Sequence, residues 1–428
     1  MMVVEESKKR GIESCLVSQE SRTTMLNFEF NRLKNIQDSE DVNHAVQVIR
    51  DGRLGLFTTT EADLTADFLD RAIELSQFGP AVDYHFPDPE DPGAPLIFDP
   101  RVRDMSLDTM MTLGEELIDF AKSLDPAANG SARIIKIHTK KSVQNSRGLS
   151  SSWEKTEFSV VLAVDFVEGQ NLLQVSDFCT STHLEYDLEG LKAQVKRDFD
   201  LARKNVPLSP GTYPVLFTPG AFMDLIMPIL ACLDGKAVVR QVSPLKGRLG
   251  ESIFSPLLTI VEDGILDKGT GSNLYDDQGV RCRRTFLVEK GILREYLLDL
   301  ETACKLGRKP TGTGKISRIA PNNLLVLPQD LSWKDMLKGI KRGVIIKDTM
   351  GAWAGNPYSG QVTGNIALGF LVEDGEPVGR VKDCMFSVNV FKHLKDNLVS
   401  LSRETKYTYG NALLPYALVD GVSIAAKT

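Results

Sequence analysis

The sequence predicts an α+β protein with mostly antiparallel sheets and flanking helices, whose C-terminal domain is β-rich and resembles an open barrel. Three observations support this fold class. Apolar and polar residues alternate along short runs, apolar runs are separated by turn residues, and helical periodicity becomes rare in the second half of the chain. Alternation with a period of two is typical of strands with one buried face.

The N-terminal segment predicts a strand, a hairpin turn and a helix, in that order. Residues 26–31 alternate between apolar and polar side chains. Asp51-Gly52 predicts a tight turn, because glycine tolerates the positive φ that such turns require. An apolar face between residues 61 and 78 predicts an amphipathic helix with Thr60 as its cap.

A proline-rich stretch then separates the first segment from the second. Residues 79–100 hold six prolines, and proline can neither vary φ freely nor donate a hydrogen bond to a sheet. We interpret this stretch as an extended arm laid over a surface. A second cluster of proline and glycine, at 205–214, predicts a second boundary. The predicted domains are therefore an N-terminal α+β domain (1–88), a middle α+β domain (89–205) and a C-terminal β-rich domain (206–428).

Within the middle domain, apolar periodicity predicts two helices and three neighbouring antiparallel strands. The helices fall near 106–124 and 188–203, and the strands at 132–143, 157–169 and 171–178.

In the C-terminal domain, three turns share a local pattern, at 261–264, 288–291 and 372–375. Each lies between apolar runs and is predicted to be a hairpin tip.

Composition and charge exclude several classes of function. The chain has 428 residues, 42% of them hydrophobic, and a formal net charge of -7, which argues against a nucleic-acid partner. No apolar stretch reaches the length of a membrane span, and the polar N-terminus predicts no secretory signal. The six cysteines form no CxxC pair, so we expect reduced thiols and a cytoplasmic protein.

No catalytic motif is evident in the residues. Gly312-Thr313-Gly314-Lys315 resembles a phosphate loop, but Ile316 replaces the residue that would hold magnesium, so we interpret it as a turn. The adjacent Asp276 and Asp277 also predict a turn. None of the five histidines is paired at helical spacing: His44, His85, His138, His183 and His393. His138 is predicted to be a surface or sheet-edge residue.

The most apolar segment of the chain runs from residue 221 to 233 and is interrupted only by Asp224 and Pro228. It is too short to cross a membrane and predicts a core helix, kinked at Pro228. Cys232 within it is expected to be a buried, inert thiol.

From about residue 206 the order of motifs resembles the TldD/PmbA family, once called modulators of DNA gyrase. The resemblance extends to DGRLGLFTTT and VIIKDTMG and so covers nearly the whole chain. The longest matching stretches are GRLGESIFSPLLTIVEDG (247–264), SNLYDDQGVRCRRTFLVEKGILREYLLDLETACKLG (272–307), NPYSGQVTGNIALGFLVEDGEPV (356–378) and LPYALVDGVSI (414–424).

The resemblance implies a fold shared by two kinds of subunit. The TldD kind carries an HExxxH helix and a distant cysteine that hold a catalytic zinc, whereas the TldE (PmbA) kind lacks these ligands. In this chain the zinc helix falls on the apolar segment, where Ile226, Met227, Ala231 and Cys232 mark the position of the lost zinc helix. The resemblance therefore implies no catalytic residue, no metal ligand and no cofactor.

Three functions remain open from the sequence. The first is a non-catalytic TldE-like subunit that pairs with a zinc-bearing TldD-like subunit and acts on unfolded peptides. The second is a self-sufficient metallopeptidase with other ligands, for which Glu251, Asp276, Asp277 and Asp383 are candidates. The third is a homodimeric peptide-binding or regulatory protein.

Overall fold

The computed structural model describes residues 2–168 and 171–426, and its N-terminal half contains one antiparallel sheet. The order of strands across this sheet is β3-β2-β1-β4-β5-β6. Because β1 pairs with β4 along almost its whole length, the first two predicted segments contribute to the same sheet. The division at residue 88 stays a prediction. The strands are β1 (Glu13–Glu29), β2 (Arg32–Arg50), β3 (Arg53–Thr59), β4 (Asn129–Asn145), β5 (Ser150–Glu168) and β6 (Asn171–Ser181).

In the part of the chain that the structure describes, five helices accompany this sheet, and α4 and α5 match their predicted positions closely. The hydroxyl of Ser106 accepts a hydrogen bond from the backbone N–H of Thr109 and so caps α4. The apolar faces of α4 and α5 pack into a core with β4 and β5. The helices are α1 (Met2–Lys9), α2 (Ala66–Ser76), α3 (Pro100–Arg103), α4 (Leu107–Leu124) and α5 (Leu188–Ala202).

The predicted turn at Asp51-Gly52 is confirmed, but the strand predicted at 26–31 ends too late. Both Asp51 (φ 51°) and Gly52 (φ 70°) adopt positive φ between β2 and β3. Phe30 and Asn31 also have positive φ and form the turn between β1 and β2. The Asn31 side chain stabilises this turn, because its Oδ1 accepts a hydrogen bond from the N–H of Gly130.

The helix predicted at 61–78 is shorter, and its predicted cap is wrong. Thr65, and not Thr60, precedes the first turn of α2. The hydroxyl of Thr59 instead accepts a hydrogen bond from the N–H of Glu61, which stabilises a turn before the helix begins.

The proline-rich stretch is extended and lies against both halves of the molecule. Its Tyr84 and Phe86 are buried in a cluster that includes Cys15 of β1 and Tyr275 of the C-terminal half. The N–H of Leu96 donates to the carboxylate of Asp267.

Within the described residues, eleven strands form the second sheet, and five of them close into a ring. The ring order is β7-β12-β13-β15-β17, and β17 closes it by pairing back with β7. The predicted barrel is therefore closed rather than open. Among the described strands, only β7 with β12 and β11 with β17 pair in parallel. The strands are β7 (Gly211–Phe217), β8 (Ile260–Asp263), β9 (Arg284–Glu289), β10 (Ile292–Leu293), β11 (Leu324–Val326), β12 (Arg342–Met350), β13 (Gln361–Glu373), β14 (Glu376–Arg380), β15 (Cys384–Asn389), β16 (Leu398–Thr408) and β17 (Ala412–Ala426).

Two of the three predicted hairpin tips are confirmed. Lys290-Gly291 joins β9 to β10, and Asp374-Gly375 joins β13 to β14, each with positive φ at both residues. The prediction for 261–264 was wrong. Glu262 and Asp263 lie within β8 and are buried, and a long irregular segment separates β8 from its partner β9.

The helices of the C-terminal half are mostly short, and α6 is the exception. No helix within residues 2–168 and 171–426 is both long and apolar enough to cross a membrane. The helices are α6 (Pro219–Leu233), α7 (Gly235–Val239), α8 (Leu300–Leu306), α9 (Trp333–Leu337) and α10 (Val390–Lys392).

Candidate functional site

The apolar segment forms α6, which begins directly after the ring strand β7. Pro219 occupies the first turn, where proline costs no helical hydrogen bond. Pro228 lies inside the helix, yet the helix continues to Leu233, so the predicted kink does not end it. Asp234 follows and caps α7 by accepting a hydrogen bond from the N–H of Lys236. The chain therefore passes from α6 directly into α7.

The second half of α6 is part of the largest hydrophobic core. Ile226 and Cys232 are fully buried. Met227 and Ala231 are only partly buried and lie on one face together with Leu230. The four positions predicted for the lost zinc helix thus present alkyl, thioether and thiol groups to the core and to a narrow partly exposed strip.

These groups do not fit a zinc ion. Zinc in proteins is held by thiolate, imidazole or carboxylate ligands, and cysteine is the only such residue at the four positions. Burial raises the pKa of Cys232 to about 12, so its thiol stays protonated. The carbonyl of Cys232 accepts a hydrogen bond from Ser243, which gives the residue a place in the packing. The prediction that Cys232 is buried is confirmed, and its inertness stays a prediction.

The four carboxylates considered as other ligands do not come together in one site, because Asp276 and Asp277 are engaged within the same turn and Glu251 and Asp383 lie in other segments. The buried Asp276 accepts hydrogen bonds from the N–H groups of Gln278, Val280 and Gly314, as the predicted turn requires. Asp277 forms an ion pair with Lys141 at 2.6 Å.

Glu251 pairs with the nearby Arg248 on the surface, and Asp383 lies in the turn between β14 and β15. No group of three or more His, Cys, Asp or Glu residues in the described ranges is arranged to hold a metal.

Of the two positions predicted for His138, a surface or a sheet-edge position, the sheet edge is wrong. His138 lies in β4, between β1 and β5, where its side chain is 18% exposed and contacts Glu154 at 2.6 Å.

A cleft of about 360 Å³ opens beside the first turns of α6, and sequence reasoning missed it. β6 and α5 form one wall, and β12, β16 and the start of α6 form the other. Ile226, Met227, Ala231 and Cys232 do not line it. The charged residues that do are Asp177, Asp198, Asp224, Asp348, Arg197, Lys347 and Lys406.

Two ion pairs cross the cleft between the two sheets. Lys347 of β12 contacts Asp198 of α5, and Lys406 of β16 contacts Asp177 of β6. Burial alone would lower the pKa of Lys347, but the surrounding acids, Asp198 first among them, hold it above its ordinary value. Lys347 lies where the register of β12 against β13 shifts, an irregularity that directs the side chain toward the cleft.

Asp224 is the acid that interrupts the apolar segment, and it forms the floor of the cleft near α6. Its side chain accepts hydrogen bonds from the hydroxyl of Thr349 and from the indole N–H of Trp353, the latter at 2.5 Å. Burial raises the pKa of Asp224, and these two hydrogen bonds oppose the rise. The presence of this acid in the apolar run was the one signal in the sequence that pointed to the cleft.

The two ends of the cleft differ in charge. At one end, Asp224 and Asp348 lie beside Tyr409, and burial together with these two acids raises the pKa of Tyr409 to about 12. At the other end, the guanidinium of Arg197 lies over the ring of Trp333 at 5.2 Å from its centroid. Within each of the two ion pairs the opposite charges cancel. Asp224 and Asp348 therefore leave the acidic end with an excess of negative charge.

Comparison with known families assigns the class of protein. The model of the PmbA/TldA metallopeptidase C-terminal domain matches residues 210–426, which include α6 and the whole ring of strands. The model of domain 1 of the same metallopeptidases matches residues 16–76. The chain belongs to the PmbA/TldA metallopeptidase family.

Individual relatives agree with this assignment. A metalloprotease of Methanothermobacter thermautotrophicus is 26% identical over 401 residues, which are 88% of this chain and 85% of the relative. The metalloprotease PmbA of Escherichia coli O157:H7 is 31% identical over 222 residues, which are 50% of this chain and 47% of PmbA.

Two solved structures share the fold over nearly the full length. A putative modulator of a DNA gyrase from Thermotoga maritima is 26% identical with a TM-score of 0.90, and the match covers 99% of this chain and 98% of that chain. TldE from Thermococcus kodakarensis is 22% identical with a TM-score of 0.92, and the match covers 99% of each chain.

Proposed function

We propose that this chain is the non-catalytic, TldE-like subunit of a TldD/TldE-type metallopeptidase assembly that acts on unfolded peptides. The observation that carries the proposal is α6, which keeps its place in the family fold although Ile226, Met227, Ala231 and Cys232 supply no ligand set for zinc. A subunit that preserves the scaffold without the metal is suited to binding and assembly. The zinc would then belong to a TldD-like partner.

The edge of β12 supports a role in binding peptides. This strand pairs with β13 as far as Met350, but with β7 only over residues 344–346. Residues 348–350 therefore have one edge without a strand partner within the described residues, and Asp348 and Thr349 line the cleft. An extended peptide added at such an edge would be bound through main-chain hydrogen bonds and would be selected little by sequence.

The cysteines support a cytoplasmic location. All six are free, including the exposed Cys304, which is the pattern expected of a protein kept in a reducing compartment.

Co-expression with an HExxxH-bearing relative tests the proposal. We expect the two chains to co-purify as a stable complex that cleaves unfolded peptides. Replacing the glutamate of the partner's HExxxH motif by glutamine should abolish cleavage without dissolving the complex. Recovery of two separate species that do not associate would overturn the proposal.

A further inference from the structure

The acidic end of the cleft has the features of a receptor for a positively charged group. Of the four aspartates, Asp177 and Asp198 are engaged by lysines across the cleft. Asp348 forms no ion pair with any described residue, and Asp224 is bonded only to the neutral donors of Thr349 and Trp353. Among the described residues, neither Asp224 nor Asp348 therefore forms an ion pair, although Lys347 is close enough to attract Asp348.

The charge of Asp224 contributes to the environment of Asp348. Although Asp348 reaches solvent at the mouth of the cleft, the protein packed around it raises its pKa. The negative charges of Asp198, Asp177 and Asp224 add to the rise, and Lys347 opposes it. A cation placed between Asp348 and Asp224 would relieve this repulsion, since an opposite charge within a few ångströms favours the ionised form.

The aromatic residues at the same end provide a second, independent feature. Trp353 and Tyr409 lie with ring centroids 5.2 Å apart, and both are about half exposed. Met350, at the end of β12, is also exposed. The hydrogen bond to Asp224 fixes the indole of Trp353, so the ring is held in place before any ligand arrives. Aromatic faces next to carboxylates are a favourable environment for ammonium and guanidinium groups.

The volume of the cleft indicates the size of the ligand that it can hold. A volume of about 360 Å³ is within the range of sites for small ligands and exceeds what a lone metal ion needs. No cluster of His, Cys, Asp and Glu fit to ligate a metal exists among the described residues of this region. The open edge of β12 at Asp348 and Thr349 offers main-chain groups to the same space.

We propose that the end of the cleft formed by Asp224, Asp348 and Tyr409, with Trp353 beside it, binds a cationic group of a peptide. The group is an ammonium or guanidinium ion, supplied either by the peptide N-terminus or by a lysine or arginine side chain. This inference rests on the proposed function for the peptide nature of the ligand. The binding itself is a property of this chain alone and requires no protease partner.

Peptide binding to the isolated chain provides the test. The probes are five-residue alanine peptides: one with a free α-amine, one acetylated and neutral, and one acetylated with a central lysine. Isothermal titration calorimetry should show that a cationic peptide binds about ten-fold more tightly than the neutral one, which is about 1.4 kcal/mol. The preference for the free amine or for the lysine identifies the source of the cation.

A charge-matched pair of variants locates the site. Asp348→Asn should reduce the preference for the cationic peptide to less than about three-fold, because one of the two charges that the ligand recognises is lost. Glu115→Gln, on the exposed face of α4, also removes one negative charge and should keep the ten-fold preference. Circular dichroism verifies that both variants are folded.

Measurements on the wild-type chain are sufficient to overturn the inference. If it binds cationic and neutral peptides with equal affinity, the inference is wrong, whatever the variants show. Loss of the preference in Glu115→Gln as well as in Asp348→Asn would contradict the location. If the chain fails to bind cationic peptides yet forms the complex with a TldD-like partner, the inference fails and the proposed function stands. If the chain binds cationic peptides but forms no complex with a TldD-like partner, the inference stands and the proposed function fails.

Discussion

The two halves of α6 face different environments, although they belong to one helix. The second half, with Ile226 and Cys232, is sealed in an apolar core. The first turns, with Asp224, line a cleft crossed by ion pairs and flanked by exposed aromatic rings. The difference teaches that a single helix can contribute both to a sealed apolar core and to the lining of a polar cleft. The end that faces β6 and α5 carries charge, whereas the half predicted from the family resemblance to occupy the position of the zinc helix lies in the core.

The largest expected effect comes from breaking an ion pair in the cleft. Lys347→Met leaves Asp198 as a buried carboxylate without its cation, since both side chains are almost inaccessible. Removal of one partner of such a pair typically costs about 3–5 kcal/mol. Chemical denaturation should show this loss of unfolding free energy.

The double variant Lys347→Met with Asp198→Asn is the control and should recover most of the stability. If the single variant were as stable as the wild type, the ion pair would not join β12 to α5 as described.

A smaller loss is expected in the sealed half of α6. Ile226→Ala creates a cavity in the core and should cost about 2–4 kcal/mol. The nearby Met227→Ala, at a partly exposed position, should cost clearly less. Thermal unfolding of the two variants side by side measures the difference. Equal losses would mean that the two faces of the helix are not distinguished by packing.

A pH-dependent effect is expected at the polar end of the helix. Burial raises the pKa of Asp224 in the folded protein, so the folded state favours the protonated acid. The wild type should therefore lose stability as the pH rises from about 3.9, the pKa of an unfolded aspartate, through the raised folded pKa. Asp224→Asn lacks this titration and should show a flatter profile over the same window.

The unfolding free energy of both proteins, measured from pH 3.5 to 8 in one buffer series, tests this prediction. The wild type should decline relative to Asp224→Asn as the pH increases. Parallel curves would show that Asp224 is not perturbed in the folded state.

Local structure was predictable where local chemistry determines it. Ser106 marked the start of α4, and Asp51-Gly52 marked its hairpin, because each satisfies a requirement of its own backbone. Closure of the barrel depends on the pairing of β17 with β7, two strands about two hundred residues apart, and no local pattern encodes it. The prediction of a turn at 261–264 was wrong for a related reason, because Glu262 and Asp263 are buried by segments that are distant in the sequence.

The candidate site also has one feature that the sequence predicts and one that only the folded chain creates. The apolar character of residues 226–232 was visible in the sequence, because it depends on residue types alone. The cleft was not, since its acids and bases come from β6, α5, α6, β12 and β16 and meet only in the folded chain. Asp224 was noticed as an interruption, but its partners Thr349 and Trp353 lie more than a hundred residues away.

Metal content measured together with peptide cleavage tests the central claim, which is that α6 of this chain holds no catalytic metal. The chain is purified alone, supplied with zinc and assayed on an unfolded peptide before and after chelation. We expect no stoichiometric zinc and no cleavage that the chelator removes. About one zinc per chain, with chelator-sensitive cleavage by the isolated protein, would contradict the account.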